Sequence, residues 1–312
     1  MVRRSGLAVL TLSLSLLGPA FAGAQDGDKH VYVTVLGPDG APVGGLTAEH
    51  FAVRESGKER QVLKVEALQL PMHVAVLVDT SSVNGVPDET LRSAVVEFVE
   101  RLAGFNQVAV YSFGDRAAPV VSFTQDSVKL RHGTTSMFGW SHQRSHLLDA
   151  VDLALRDMER LEVRRPVIIA ITSESPESSG RTAGGVIKRL IGQSVAFHAV
   201  SLAGGVGSAA TRVSKDIPAS SQRMGAMIAA GEGDRERDQL LQQGTAATGG
   251  GRQRLTSVMA LRAALTRLTG ELSNSYLVSF SRAGSTRIKD LQVGIMLEGV
   301  TLRATAAPFG TR

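Results

Sequence analysis

Apolar positions recur with three different periods along the chain. From His30 to Ala67 the period is two. His30 to Leu36 is rich in β-branched residues, Gly37 to Gly40 has turn chemistry, and Val62 to Ala67 returns as a strand after a turn at Glu55 to Gly57. From Met72 to Leu272 continuous apolar runs alternate with runs of helical spacing. The runs at His73–Val78, Gln107–Phe113, Pro166–Ile171 and Ser194–Leu202 predict strands, the most apolar of them buried on both faces. Pro119–Phe123 predicts a further strand. Leu91, Val95, Phe98, Val99 and Leu102 share a helical face, as do Leu147, Leu148, Val151, Leu155 and Met158. Shorter patterns predict helices near Gly184–Ile191, at Leu240 before the stop at Gly249–Gly251, and from Leu261 to Leu272. From Ser273 onward the period is two again, at Tyr276–Phe280, Ile288–Met296 and Val300–Ala304.

The middle pattern implies a doubly wound, mostly parallel α/β sheet covered by helices on both faces. Neither flanking β segment is long enough to bury a core alone. The economical arrangement pairs them into one small β-sandwich with the α/β unit inserted between its halves. Two separate β appendages are the alternative. The expected divisions are 1–24, 25–70, 71–272 and 273–312. The stretch 203–237, rich in Ala, Gly and Ser, reads as a loop with a helical piece near 223–230.

Residues 1–24 have the pattern of a secretory signal. Arg3 and Arg4 precede the apolar run Leu7–Leu17, and Ala22-Gly23-Ala24 offers a cleavage site before Gln25. The run falls short of the ~20 residues that span a bilayer, so cleavage is expected to leave no stable membrane span. This points to a secreted or periplasmic protein. Loss of Arg3 and Arg4 takes the formal charge from +5 to +3. The remaining Lys and Arg form no basic run interleaved with aromatics, so no nucleic-acid partner is expected. The chain has no cysteine, which excludes disulfides, thiolate metal sites and Cys nucleophiles.

The chemistry gathers where the first buried strand ends, at Val78-Asp79-Thr80-Ser81-Ser82-Val83. Ser145-His146-Leu147-Leu148-Asp149-Ala150 opens a helix, and Ile169-Ala-Ile-Thr172-Ser173-Glu174 closes another strand. These segments resemble the D-x-S-x-S, T-x-L-x-D-A and T-D-G segments of the von Willebrand factor A (VWA) domain. The flanking β segments are similar to those of secreted bacterial VWFA-related proteins. The resemblance implies a strand-end site in which Asp, Ser, Thr and Asp oxygens hold a divalent cation. This chain departs from that pattern. Val83 stands where a serine ligand is expected, Ser145 replaces the threonine, and Ser173 replaces the second Asp. Asp79, Ser81, Ser145 and Ser173 remain as a degenerate ligand set. Glu174, the next residue along, should face the other side of the strand. No cofactor is therefore expected, and weak Mg²⁺ or Ca²⁺ binding is the alternative.

Residues Lys129 to His146 carry three histidines, two arginines, one lysine and the only tryptophan, with no acidic residue. Phe138, Trp140, Arg144 and His146 are candidate partner contacts on this loop, since Trp and Arg are favoured interface anchors. His142 and His146 have a zinc-compatible spacing, with His132 or Asp149 as a third ligand. No nucleophile elbow, phosphate-binding loop or zinc-hydrolase motif is present. The expectation is a non-enzymatic, exported protein-binding or adhesion module. A structural component of an envelope complex is the alternative. A metal-dependent hydrolase using Asp79 is a more distant one.

Overall fold

The computed structural model describes residues 29–81, 89–139, 144–173, 175–202, 231–281 and 291–306. The proposed signal, the helical piece near 223–230, Val83, Trp140, His142 and Glu174 lie outside these residues.

Strand β1 (Lys29–Leu36) joins the two ends of the chain. It runs antiparallel to β11 (Tyr276–Phe280) on one side and to β13 (Thr301–Ala306) on the other. With β4 (Val62–Ala67) they form a sheet of order β13-β1-β11-β4. A second sheet pairs β12 (Leu291–Ile295) with β2 (Phe51–Glu55) and β2 with β3 (Lys58–Arg60). The inward residues Val31, Val33, Val35, Phe51, Val53, Val278 and Phe280 make one core. Each half of the sandwich thus acquires the burial it lacks alone.

The inserted sheet has the order β10-β9-β8-β5-β6-β7. Its members are β5 (His73–Val78), β6 (Gln107–Ser112), β7 (Ala118–Thr124), β8 (Pro166–Ser173), β9 (Ala196–Leu202) and β10 (Arg252–Leu255). All neighbours run parallel except the antiparallel edge pair β6–β7. Alternation along β5 divides the core. Val74, Val76 and Val78 pack towards α1 (Glu89–Ala103) and the closing helix α6 (Leu261–Ser273). Ala75 and Leu77 pack towards α3 (Leu147–Arg160) and α4 (Ala183–Gly192). A central strand covered on both faces must be apolar at successive positions, as His73–Val78 is.

Two elements depart from the sequence reading. Lys129 begins no loop, because Ser127–Ser136 forms helix α2, capped by the Asp126 carboxylate accepting from the amides of Val128 and Lys129. Part of the 203–237 stretch is also helical. Helix α5, described from residue 231, continues through a π-helical turn at Leu240–Gly244 into Thr245–Ala247.

One side chain ties the two units together. Arg165 is buried and donates to the carbonyls of Leu70 (2.9 Å) and Leu272 (2.7 Å) and to Ser275 Oγ (3.1 Å). Leu70 lies on the chain entering the α/β unit, and Leu272 and Ser275 lie on the chain leaving it. Both crossings are thus held by one guanidinium, whose planar fork suits several acceptors at once.

Candidate functional site

The order of the inserted sheet places its topological switch point at β5, between β6 and β8, and in open α/β sheets the carboxyl ends of strands there form the crevice. Asp79 lies directly after β5 and is 4% exposed. Both its oxygens are engaged. Oδ1 accepts from the backbone N–H (2.9 Å) and the hydroxyl of Ser81. Oδ2 accepts from the backbone N–H (2.9 Å) and Oγ (2.7 Å) of Ser173 at the end of β8. Thr172 Oγ1 also approaches Oδ2, at 3.4 Å. Burial pushes the Asp79 carboxyl up from its ordinary range, against the lowering effect of the Ser81 and Ser173 hydrogen bonds. Ser173 Oγ continues the network to Ser175 Oγ at 2.9 Å.

Ser145 is fully buried but turns to another carboxylate. Its Oγ donates to Glu177 Oε2 at 3.3 Å. The same oxygen accepts from the N–H of Leu147 (3.2 Å), the first residue of α3, and Oε1 accepts from the N–H of Ser179 (2.9 Å). Glu177 is 2% exposed, and burial raises its carboxyl, opposed by the Ser179 and Leu147 hydrogen bonds and by nearby Arg237. The backbone joins the same loops, Ser145 N–H donating to Pro176 O and Ser178 N–H to Ser145 O, each at 2.8 Å. Behind them α5 contributes Asp234, which accepts from Glu177 N–H, and Arg237, which donates to Ser175 O.

The four candidate ligands therefore fall into two hydrogen-bonded groups, Asp79–Ser81–Ser173 and Ser145–Glu177. A hard divalent cation needs six or more oxygen ligands and enough negative charge among them. Asp79 already accepts hydrogen bonds on both oxygens, the third-loop position offers a neutral hydroxyl, and Ser145 is directed to Glu177. The described residues do not fit such a cation. Among them, no three His, Asp or Glu side chains gather as a metal cluster. Of the zinc candidates within the described residues, His146 faces Asp149 with Nδ1 3.6 Å from Oδ2.

The expected partner contacts separate. Arg144 is exposed and donates to Ser178 Oγ at 3.2 Å, so it stands at the rim. His146 is half-buried beside it, at the start of α3. Phe138 corrects the sequence reading. It is 5% exposed and packs into the core with Val76, Phe98 and Leu130, so it cannot anchor a partner. The basic bias of the segment is also partly neutralised, with Arg131 bonded to Glu100 (2.5 Å) and Lys129 near Asp126 (3.8 Å).

Glu177 is the residue that sequence reasoning missed. It sits in the Ser- and Pro-containing run after β8, and its partners Ser145 and Leu147 are remote along the chain. Periodicity carries no signal for such a contact.

No protein-family profile and no curated protein sequence matches the chain. Among solved structures, an aerotolerance-related membrane protein from Bacteroides fragilis is similar at 14% identity and TM-score 0.43, over 64% of this chain and 98% of that one. BatB from Bacteroides thetaiotaomicron is similar at 16% identity and TM-score 0.43, over 65% and 100%. The VWA domain of SpRpn10 is similar at 12% identity and TM-score 0.40, over 63% and 94%. The α/β unit is a doubly wound, mostly parallel sheet with helices on both faces and the Asp79 network at its switch point.

Proposed function

We propose that the chain is an exported, non-enzymatic protein-binding module that engages its partner through the strand-end face without a metal ion. The observation that carries this reading is the engagement of Asp79. A carboxylate that accepts from Ser81 and Ser173 on both oxygens is a structural acceptor, poorly disposed to ligate a cation or attack a substrate. The hydroxyl and amide network stiffens the floor of the crevice, and Arg144 at its rim offers a guanidinium for a partner carboxylate. Export rests on the Arg3–Ala24 pattern. Among the described residues no helix is long and apolar enough to cross a membrane.

The test is calorimetric titration of the purified protein with Mg²⁺, Mn²⁺ and Ca²⁺. The expected outcome is no binding tighter than about a millimolar, for wild type and Asp79→Ala alike. Tighter binding that disappears in Asp79→Ala would overturn the metal-independent reading. In parallel, Arg144→Ala should weaken partner capture from the native envelope about tenfold, with the melting temperature unchanged. Undiminished capture would move the binding face elsewhere.

A further inference from the structure

A small cavity of about 40 Å³ lies where the sandwich meets the α/β unit, and it shares no residue with the strand-end site. β1 lines it at Tyr32 and Thr34, the entry to β8 at Arg165, β9 at His198, α6 at Glu271 and β13 at Arg303. His198, Glu271 and Arg303 also line a wider concavity of about 210 Å³ alongside, which gives small solutes a way in.

Arg165 is the unusual member of this lining. It is 6% exposed, yet no carboxylate is paired with it among the described residues. Its acceptors, the carbonyls of Leu70 and Leu272 and Ser275 Oγ, are all neutral, and the Tyr32 ring centroid lies 5.9 Å from the guanidinium carbon. Buried charges in proteins are ordinarily paired. Burial accordingly lowers the Arg165 pKa to about 10. Its backbone stands at φ +46°, a left-handed conformation that costs a non-glycine residue energy, so the surrounding fold imposes this placement. The one carboxylate of the lining, Glu271, is taken by Arg303, which donates to its Oε1 at 2.7 Å. The cavity wall therefore carries one positive charge in excess, and that charge is buried.

Donors also remain for an occupant. His198 Nδ1 accepts from the N–H of Gly251 at 3.2 Å, so the ring is neutral with its proton on Nε2. Neither that Nε2 nor Arg165 Nε has a hydrogen-bond partner among the described residues. Neither is one of the unpartnered atoms there that are sealed from solvent, so both N–H groups can be reached.

We propose that this cavity binds a halide ion such as chloride, held by the Arg165 guanidinium and the His198 Nε2–H. The excess buried charge calls for an anion. N–H donors from a guanidinium and an imidazole, with no fixed acceptor geometry between them, suit a spherical one. Size narrows the class further. A water takes about 30 Å³, so the space admits an ion near that size and leaves little room for a carboxylate chain or a tetrahedral oxyanion. Because Arg165 also holds both crossings of the chain, a bound halide would stiffen the junction between the two units.

The experiment uses the whole protein. Thermal melts follow the replacement of methanesulfonate by chloride at constant ionic strength, and crystals soaked in bromide are tested for anomalous scattering. The melting temperature is expected to rise by about 3 °C between about 1 mM and about 100 mM chloride. Bromide is expected in the cavity, beside Arg165 and His198. Arg165→Met should abolish the chloride response, but it also removes the contacts to both crossings. His198→Phe leaves those contacts in place and is the deciding variant. Whatever its ligand-free melting temperature, its chloride affinity should fall about tenfold. The proposal is overturned by a wild-type melting temperature indifferent to chloride, by an equal response to acetate, by bromide found only at the protein surface, or by an undiminished chloride response in His198→Phe.

Discussion

At the scale of single residues, glycine lets backbone segments approach where a side chain would collide. The run Gly249-Gly250-Gly251 reads in sequence as a helix stop, and Gly249 does adopt φ +71°, the left-handed conformation that ends helices. The run also has a packing role. A Cβ on Gly250 would stand 1.8 Å from the carbonyl oxygen of Phe197 in β9. That neighbour is backbone in a central parallel strand and cannot swing aside as a side chain would. Gly250→Ala must therefore displace either β9 or the end of α5. We expect it to cost about 3 kcal/mol, at the upper end of overpacking effects. Urea denaturation at equal m-value checks this, and a midpoint within error of wild type would refute it.

At the scale of elements, α3 shows how a tertiary contact completes a local one. The residue before it, His146, makes no side-chain cap, and the first amide is met by Glu177 from the loop after β8. Glu177 also holds Ser145 and Ser179, so its carboxylate fastens the start of α3 to the neighbouring loop. Glu177→Ala should cost about 2 kcal/mol, the loss of a cap together with buried donors left unpaired. Hydrogen exchange should quicken first at Leu147 and Ser179, and protection unchanged at both would sink the idea. Most elements were legible in the sequence because burial dictates their pattern. β5 and β8 lie under helices on both faces and show it as unbroken apolar runs, while α1 and α3 each bury a wide stripe. Helix α2 was not legible, since it buries only Leu130 and Thr134 and leaves no helical period to detect. The edge strand β10, Arg-Gln-Arg-Leu, is equally silent. Of the site, Asp79, Ser81 and Ser173 were found because their segments, at strand ends, resemble the VWA pattern. The pairing of Ser145 with Glu177, and the burial of Phe138, depend on contacts between segments that no local pattern reports.

At the scale of the whole molecule, stability and pH meet at the junction between the two units. His198 is 3% exposed on β9, and Glu271 of α6 and Arg303 of β13 face it. Glu271 Oε1 lies 3.8 Å from its Nδ1, but that nitrogen already accepts from Gly251 N–H and cannot also donate to the carboxylate. Burial and the Arg303 charge lower the folded-state pKa to about 3, against 6.5 for the free side chain. Below pH 6.5 the unfolded chain takes up a proton that the folded chain refuses, so acid favours unfolding. The contribution is intact above pH 6.5 and is lost progressively as pH falls towards 3. Between pH 7 and pH 5 the loss amounts to about 2 kcal/mol. Asp79, Glu177 and Glu271 act in the opposite direction, because burial raises their folded-state pKa values and acidification relieves the penalty of their charge. The wild-type stability curve therefore mixes both signs, and the histidine is isolated by difference. His198→Gln keeps an acceptor for Gly251 N–H but cannot titrate. Urea melts of the two proteins at pH 7 and pH 5 should show the gap between them shifting by about 2 kcal/mol in favour of the variant at the lower pH. A gap that stays constant across that range would mean that His198 takes up its proton in the folded protein, and that the junction opens to water.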